Sequence, residues 1–366
     1  MGFLGKLLLP VAIVVAVAAA TTANAQTEEG ALTLERSVEL ALSRNEAPQA
    51  ALQRAMTAEA RVERARSFFF PTITVTGQYT RRAVETLRNV GGENVTIQSR
   101  NALSGNATLD LSLFDARAFP LLRQARLELD AAKLDATEAK RCLAFAVADA
   151  FLGALGAEKV RAAAERRTAL AKSTLDDAKV LRDAGLTRTN DVTRAELEFA
   201  AATRDLVRAQ GEAATARLDL ANLLDADLTE PFAEPARLLA EAQRDAPPAP
   251  QTVGTRRPDV AAAHARVAAL EAAAMEPALR LLPRLALSGQ LRTTNESGFS
   301  GRNTDGFAGL VLTWSLWDGG ARSAETKERE AVAKAAALEA SAKERHVDLE
   351  VRSAQVLLAT EQEAAR

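Results

Sequence analysis

The sequence predicts an α+β chain in which a pair of strands and a very long α-helical arm occur twice. Three observations predict it. Two segments about 200 residues apart follow the same order of proline, helix, proline and strand. Four stretches of about ten residues alternate apolar and polar side chains. The remainder is rich in Ala, Glu, Arg and Leu, while aromatics make up only 4% of the chain. That composition suits long helices packed closely through small side chains.

The chain opens on a processing signal. Lys6 supplies the positive charge, Leu7 to Ala20 an apolar run, and Ala23-Asn24-Ala25 a small-x-small cleavage site before Gln26. The run is short for a membrane-spanning helix, so residues 1–25 are read as a signal peptide and the mature chain as exported. No cysteine follows the site, so no lipid attachment is expected there. The single cysteine, Cys142, excludes an intrachain disulfide framework. It lies in an apolar helical pattern and is read as a small core residue. A formal net charge of −2 gives no pull toward nucleic acid.

The duplication is clearest from Glu46 and from Arg256. Pro48 matches Pro258, Pro71 matches Pro283, Gly77-Gln78 matches Gly289-Gln290, and Phe114-Asp115 matches Trp317-Asp318. Proline is tolerated at a helix start because its missing N–H was unpaired anyway. The second proline of each copy ends the helix and opens the strand.

The four strands are predicted at Thr72 to Arg82, Asn101 to Phe114, Arg284 to Thr294 and Phe307 to Leu316. Each has one apolar face, carrying for example Ile73, Val75, Leu109, Leu111, Leu287 and Leu310. Thr74, Thr76, Gln78, Asn106, Thr108, Asp110, Ser288 and Gln290 occupy the opposite faces. This is the length and alternation of a transmembrane β-strand, and equally of a half-buried soluble sheet. Export and the shortage of core aromatics favour the membrane. Four strands cannot close around a lumen, and an open edge is not tolerated in lipid. Strands that span a membrane must therefore be pooled among several chains, with the polar residues named above facing a lumen.

The helices extend far beyond the strands. From Asp115 to the break at Asp183 is about 70 residues, interrupted only by Pro120, and at ~1.5 Å per residue this spans on the order of 100 Å as one or two stacked helices. The chain turns through Gly185-Leu186-Thr187 and returns to about Asp225, with Asn190 or Asp191 expected as the helix cap. Asp318-Gly319-Gly320 starts the equivalent arm in the second copy. Asp can cap the helix, and the glycines supply the backbone angles that turn a strand into a helix. The same interval counted from Asp318 runs past Arg366, so the second hairpin reads as incomplete.

No catalytic constellation, metal-ligand set or cofactor motif emerges. His264 and His346 lie within helical runs without partners at metal spacing, and the acidic pairs lie on charged helix faces. An enzyme is not expected.

At these residues the sequence resembles the TolC-type outer-membrane efflux proteins. The stretches that carry the resemblance are LTLERSVELALSRN at Leu32, AGLTRTNDVTRAELEFAAA at Ala184, RRPDVAAAHARVAALEAAA at Arg256 and LTWSLWDGGARSAE at Leu312. RRPDV and WDGG look most like members that serve resistance-nodulation-division pumps. The resemblance implies a homotrimer whose pooled strands form a twelve-stranded barrel in bacterial outer-membrane lipid, continued by α-helical hairpins in the periplasm. It implies a passive exit duct for drugs, other small molecules, metal ions or proteins, joined to a periplasmic adaptor and an inner-membrane pump. Gly185, Leu186 and Thr187 match the family's adaptor-docking tip.

The expected organisation is a signal peptide (1–25), N-terminal periplasmic helices (26–70), a first strand pair (71–114), a long helical hairpin (115–230) and a Pro-rich linker (231–258). A second-repeat helix (259–282), a second strand pair (283–317) and the start of a second hairpin (318–366) follow. Two other readings fit parts of the pattern: the outer-membrane component of a type I protein-secretion system, and a soluble periplasmic coiled-coil scaffold. The scaffold has no need of four alternating strands in matching pairs.

The signal reading has a direct check. N-terminal sequencing of the mature protein should begin at Gln26, and fractionation should place it with the outer membrane. A mature chain beginning at Met1, or one wholly in the soluble periplasm, contradicts the reading.

Overall fold

The computed structural model describes residues 30–242, 257–296 and 302–364. The signal segment and half of the Pro-rich linker (243–256) lie outside the described residues. The chain divides into two compact units, one made of residues up to Asn45 with Leu143–Glu241, the other of Glu46–Cys142 with Ala242–Arg366.

The first unit holds helix α1 (Leu34–Arg44), the later part of α3 (Ala118–Asp183), α4 (Thr189–Leu224) and the short α5 (Ala236–Ala242). Thr33 caps α1 by accepting from the Arg36 N–H at 3.2 Å. The core is built at helical spacing: Val147, Phe151 and Ala154 of α3 bury against Leu220 and Leu224 of α4 and Ala41 of α1. A short parallel bridge closes it, with the Leu32 N–H donating to the Pro231 carbonyl at 2.8 Å and the Ala233 N–H to the Leu32 carbonyl at 2.9 Å. This sets the Phe232 ring edge-on to Phe151 at 5.5 Å, with the Arg217 guanidinium 4.7 Å from its centre. Helix α3 is one continuous helix of 66 residues. Pro120 does not break it because the first-turn N–H groups have no intrahelical acceptor.

The second unit contains α2 (Glu46–Arg66), strands β1 (Thr72–Arg81), β2 (Thr86–Val90), β3 (Glu93–Gln98) and β4 (Asn101–Phe114), and the first part of α3. It continues with α6 (Pro258–Ala274), the one-turn α7 (Glu276–Leu279), β5 (Arg284–Thr294), β6 (Thr304–Thr313) and α8 (Ala321–Ala364). β1, β4, β5 and β6 form one antiparallel sheet in that order, and β2 and β3 form a separate hairpin. The register puts Ile73 opposite Leu109, Val75 opposite Ala107 and Tyr79 opposite Leu103, and Thr74 opposite Thr108, Thr76 opposite Asn106 and Gln78 opposite Ser104. Apolar therefore meets apolar on one face, and polar meets polar on the other.

Two departures from simple alternation are informative. A bulge between Ser112 and Phe114 sets Phe114 opposite Leu285, returning to the apolar face a ring that strict period-two counting would place on the polar one. The last strand ends at Thr313, not at Leu316 as the alternation suggests. The Trp314 indole N–H donates to the Leu281 carbonyl at 2.9 Å, and Arg322 takes the carbonyls of Ser315 and Leu316. Those bonds draw the chain out of the ladder.

Helices α6 and α8 pack antiparallel through small side chains, with Ala262, Ala269 and Ala273 buried on one and Ala333, Ala340 and Val347 on the other. Polar contacts follow the same register: Arg257 pairs with Glu350, the His264 ring nitrogen lies 2.7 Å from a Glu344 carboxylate oxygen, and Arg329 donates to the Ala273 carbonyl. Cys142 corrects the sequence reading. It is exposed, its thiol 3.3 Å from a Glu138 carboxylate oxygen, because the buried stripe of α3 runs through Leu143 and Val147 instead.

Asp259, in the first turn of α6, accepts from the Arg257 guanidinium at 3.0 Å and from the Val260 N–H at 2.9 Å. Burial works against its ionisation, but Arg257, with Lys343 behind it, holds the carboxyl below the usual carboxylate range. Because the folded value lies below the unfolded one, the stabilisation is complete above the ordinary Asp range (~3.9) and is lost as pH falls through the folded value. Asp259→Asn should therefore be less stable near neutrality and show a flatter loss of stability on acidification. Denaturant midpoints across an acid pH series measure this, and parallel wild-type and variant curves would contradict it.

Candidate functional site

Both strand-to-helix junctions lie in the second unit and open on one cavity of about 240 Å³, whose lining includes Asp115, Arg117, Arg284, Asp318 and Arg322. Asp115 is 6% exposed. Its carboxylate accepts from the Arg117 N–H at 3.0 Å and from the Arg117 guanidinium, and its carbonyl accepts from the Ala118 N–H that opens α3. Burial disfavours the charge, but Arg117 outweighs it and keeps the carboxyl below its ordinary range. Asp318 does the same work at α8, accepting from the Gly320 N–H at 3.1 Å and the Arg322 N–H at 3.0 Å. Gly319 and Gly320 have φ of 70° and 92°, angles that side chains with a Cβ adopt only under strain.

A second layer of charge steadies α7 against α8. Glu276, 4% exposed, is held by Arg280 and Arg329, and Glu325 is held by the same two arginines. A carboxylate buried this deeply requires such pairing. The hydrogen bond from Arg280 in particular keeps Glu325 below the usual carboxylate range. No sequence motif pointed to this cluster.

The structure places Thr74, Thr76, Gln78, Asn106, Thr108, Asp110, Ser288 and Gln290 on one face of the sheet. Side chains link across it: the Gln290 amide donates to Asn106 at 2.6 Å and the Ser288 hydroxyl to Asp110 at 3.1 Å. Phe307 joins this face opposite Gln290. The backbones of β5 and β6 approach closely at Gly306, where a Cβ would lie 3.0 Å from the Gln290 carbonyl oxygen.

The ends of the strands are marked by aromatics, of which the sequence reading singled out Phe114 and Trp317 as junction residues but not the gathering. At the end where strands give way to helices stand Phe68, Phe69, Phe70, Phe114, Trp314 and Trp317, with Phe119 packed on Phe69 at 5.9 Å. Phe70 is 66% and Trp317 81% exposed. At the other end the Tyr79 hydroxyl donates to the Asn101 side chain at 3.0 Å. Aromatic rings at the limits of an apolar band are the pattern of the girdles that flank a membrane barrel. The available signal was clustering: in a chain poor in aromatics, about half fall at the strand boundaries.

The tip between α3 and α4 lies in the first unit. Gly185 has φ 72°, its N–H donates to the Arg182 carbonyl, and the Leu186 N–H donates to the Leu181 carbonyl, both at 2.9 Å. This glycine-terminated turn leaves Leu186 75% exposed. The cap of α4 differs from expectation. Arg188 is the capping position, and Asp191 reaches back from inside the first turn to accept from the Thr187 hydroxyl at 2.7 Å and the Arg188 N–H at 3.2 Å.

Among the described residues no helix is long and apolar enough to cross a membrane, and no group of three or more His, Cys, Asp or Glu is placed to hold a metal ion.

A family model described as "Outer membrane efflux protein" matches residues 37–226 and 249–366. Solved structures share the fold. A membrane protein from Pseudomonas aeruginosa is 22% identical at a TM-score of 0.73, covering 89% of this chain and 75% of that one. CusC, whose structures concern folding and transmembrane channel formation, is 17% identical at 0.76, covering 92% and 79%. The outer membrane protein VceC from Vibrio cholerae is 18% identical at 0.72, covering 89% and 80%. No curated protein matches the sequence.

Proposed function

This chain belongs to the outer membrane efflux protein family, and from that premise we propose that it is the passive exit duct of a tripartite efflux assembly for small molecules. Members of the family are outer-membrane channels with a helical part in the periplasm. They work with an adaptor and an inner-membrane pump. The observation that carries the reading is the four-stranded sheet with one apolar face, one polar face and two unpaired edges, β1 and β6.

Three copies joined edge to edge would pair every strand, turn the apolar faces with their aromatic girdles to lipid, and enclose the polar faces as a lumen. Thr74, Thr76, Gln78, Asn106, Thr108, Asp110, Ser288 and Gln290 are then the wall that cargo passes. Such a wall offers water-like hydrogen bonding and no reacting group, so the protein conducts and does not catalyse. The junctions at Asp115 and at Asp318-Gly319-Gly320 carry each strand into the helical tunnel. At the tip, Gly185 holds the turn, Leu186 presents an apolar contact to an adaptor helix, and Thr187 fixes Asp191.

Cysteine scanning of β1 tests the barrel. Hydrophilic maleimides should label positions 74, 76 and 78, and lipid-soluble reagents positions 73, 75 and 79. Lys at Val75 should cost ~2–4 kcal/mol near the bilayer midplane and Lys at Thr76 little. Uniform labelling by the hydrophilic reagent defeats the barrel.

A separate experiment addresses the tip. Gly185→Trp or Leu186→Asp should abolish drug export in an efflux-deficient host while heat-modifiable oligomers still form. Full resistance in both variants removes the tip from the docking surface.

A further inference from the structure

One groove in the second unit is not explained by the barrel, the junctions or the tip. It has a volume of about 500 Å³ and runs across three helices, a size that suits a drug-sized molecule. Helix α3 forms its floor with Ala131 and Ala132, α6 forms one wall with Ala269 and Leu270, and α2 forms the other with Arg54, Ala58 and Arg61. Each helix thus contributes at least one apolar side chain to the groove, and four of the five are alanines.

The charges around this floor are not balanced. Asp135 of α3 is taken by Arg266 of α6. Glu128 of α3 accepts from the neutral Gln124 amide at 2.8 Å and keeps its charge, so the lining sets three arginines against two carboxylates, an excess of one positive charge. Arg54 and Arg61 stand two helical turns apart, about 10 Å along one wall, and neither makes an ion pair or hydrogen bond among the described residues. Two free guanidinium groups over an alanine floor match a molecule with an anionic head and an apolar body. Carboxylate, sulfonate and phosphate accept two parallel N–H donors from a guanidinium, and small side chains below leave room for rings or an alkyl chain.

We propose that this groove is a binding site for anionic amphiphiles, with Arg54 and Arg61 holding the charged group and Ala131, Ala132 and Leu270 the apolar body. The site stands on the geometry of one protomer and does not depend on the duct reading.

The test uses the assembled full chain in phosphatidylcholine nanodiscs, with empty nanodiscs as blank. The probe is the fluorescent amphiphile 8-anilinonaphthalene-1-sulfonate, compared with a naphthalene of like size bearing a quaternary ammonium. Wild type should bind the sulfonate above blank, prefer it to the cation, and bind it more weakly as salt rises from about 0.05 to about 0.5 M. Arg54→Gln with Arg61→Gln should weaken it at least about ten-fold, the equivalent of ~1.4 kcal/mol. Ala132→Phe, which fills the floor without touching charge, should do the same, and it decides the matter if the double variant fails to assemble. Arg64→Gln, on the same helix but outside the groove, should bind as wild type. No binding above blank, as when a neighbouring copy covers the groove, overturns the proposal. So does equal binding of the cation, or undiminished binding in the double variant and in Ala132→Phe.

Discussion

An unpaired backbone N–H or C=O in hydrocarbon costs several kcal/mol, and β1 and β6 each carry a row of them along one edge. In water the row would be solvated; in an outer membrane it must be paired. Among the described residues of a single copy no strand is left to do so, since β2 and β3 pair only with each other. The edges therefore demand further copies, whatever their number, before any contact between copies is considered; three is the number in the proposed assembly. The two-faced sheet is the second consequence, because a closed barrel has lipid on one side and a lumen on the other.

The junctions show how a strand in one solvent becomes a helix in another. An α-helix begins with backbone N–H groups that have no intrahelical partner. At α8 Asp318 meets two such donors with its carboxylate, and at α3 Asp115 supplies a carboxylate to Arg117 and a carbonyl to Ala118. Each aspartate is then held by an arginine two or four residues on, Arg117 or Arg322. The cap and the ion pair support one another: the arginine keeps the carboxylate charged, and the charged carboxylate is the better acceptor. With Glu276, Glu325, Arg280 and Arg329 alongside, this end of the sheet is braced by charge where the aromatic girdle marks the limit of the apolar band.

Packing of the helices depends on smallness. Ala262, Ala269 and Ala273 facing Ala333 and Ala340 bury little area each, yet they let helix backbones approach closely over many turns. Larger residues would push the helices apart and expose backbone and side chain alike. The same economy leaves the floor of the α2–α3–α6 groove bare, so the feature that makes a long helical wall possible also leaves room for a ligand.

Local periodicity was enough to find much of this molecule in its sequence. The four alternating runs, the proline-bounded duplication, the aspartate-glycine junctions and the tip at Gly185 are patterns within a few residues, set by period-two strands, period-3.6 helices and the few residues that tolerate positive φ. Pairings between distant segments carry no such signature. That β4 lies beside β5, so that the two copies share one sheet, is decided by register between residues some 180 apart, as at Asp110 and Ser288. The bulge that returns Phe114 to the apolar face, the end of β6 at Thr313, the gathering of aromatics at one rim and the Glu276 cluster likewise depend on what each residue meets across space. So does the exposure of Cys142, whose apolar neighbours in sequence point to the core while its own side chain does not. Sequence determines which faces a segment can offer; only the assembled fold determines which face finds a partner, because burial and charge pairing are properties of neighbours and not of the chain alone.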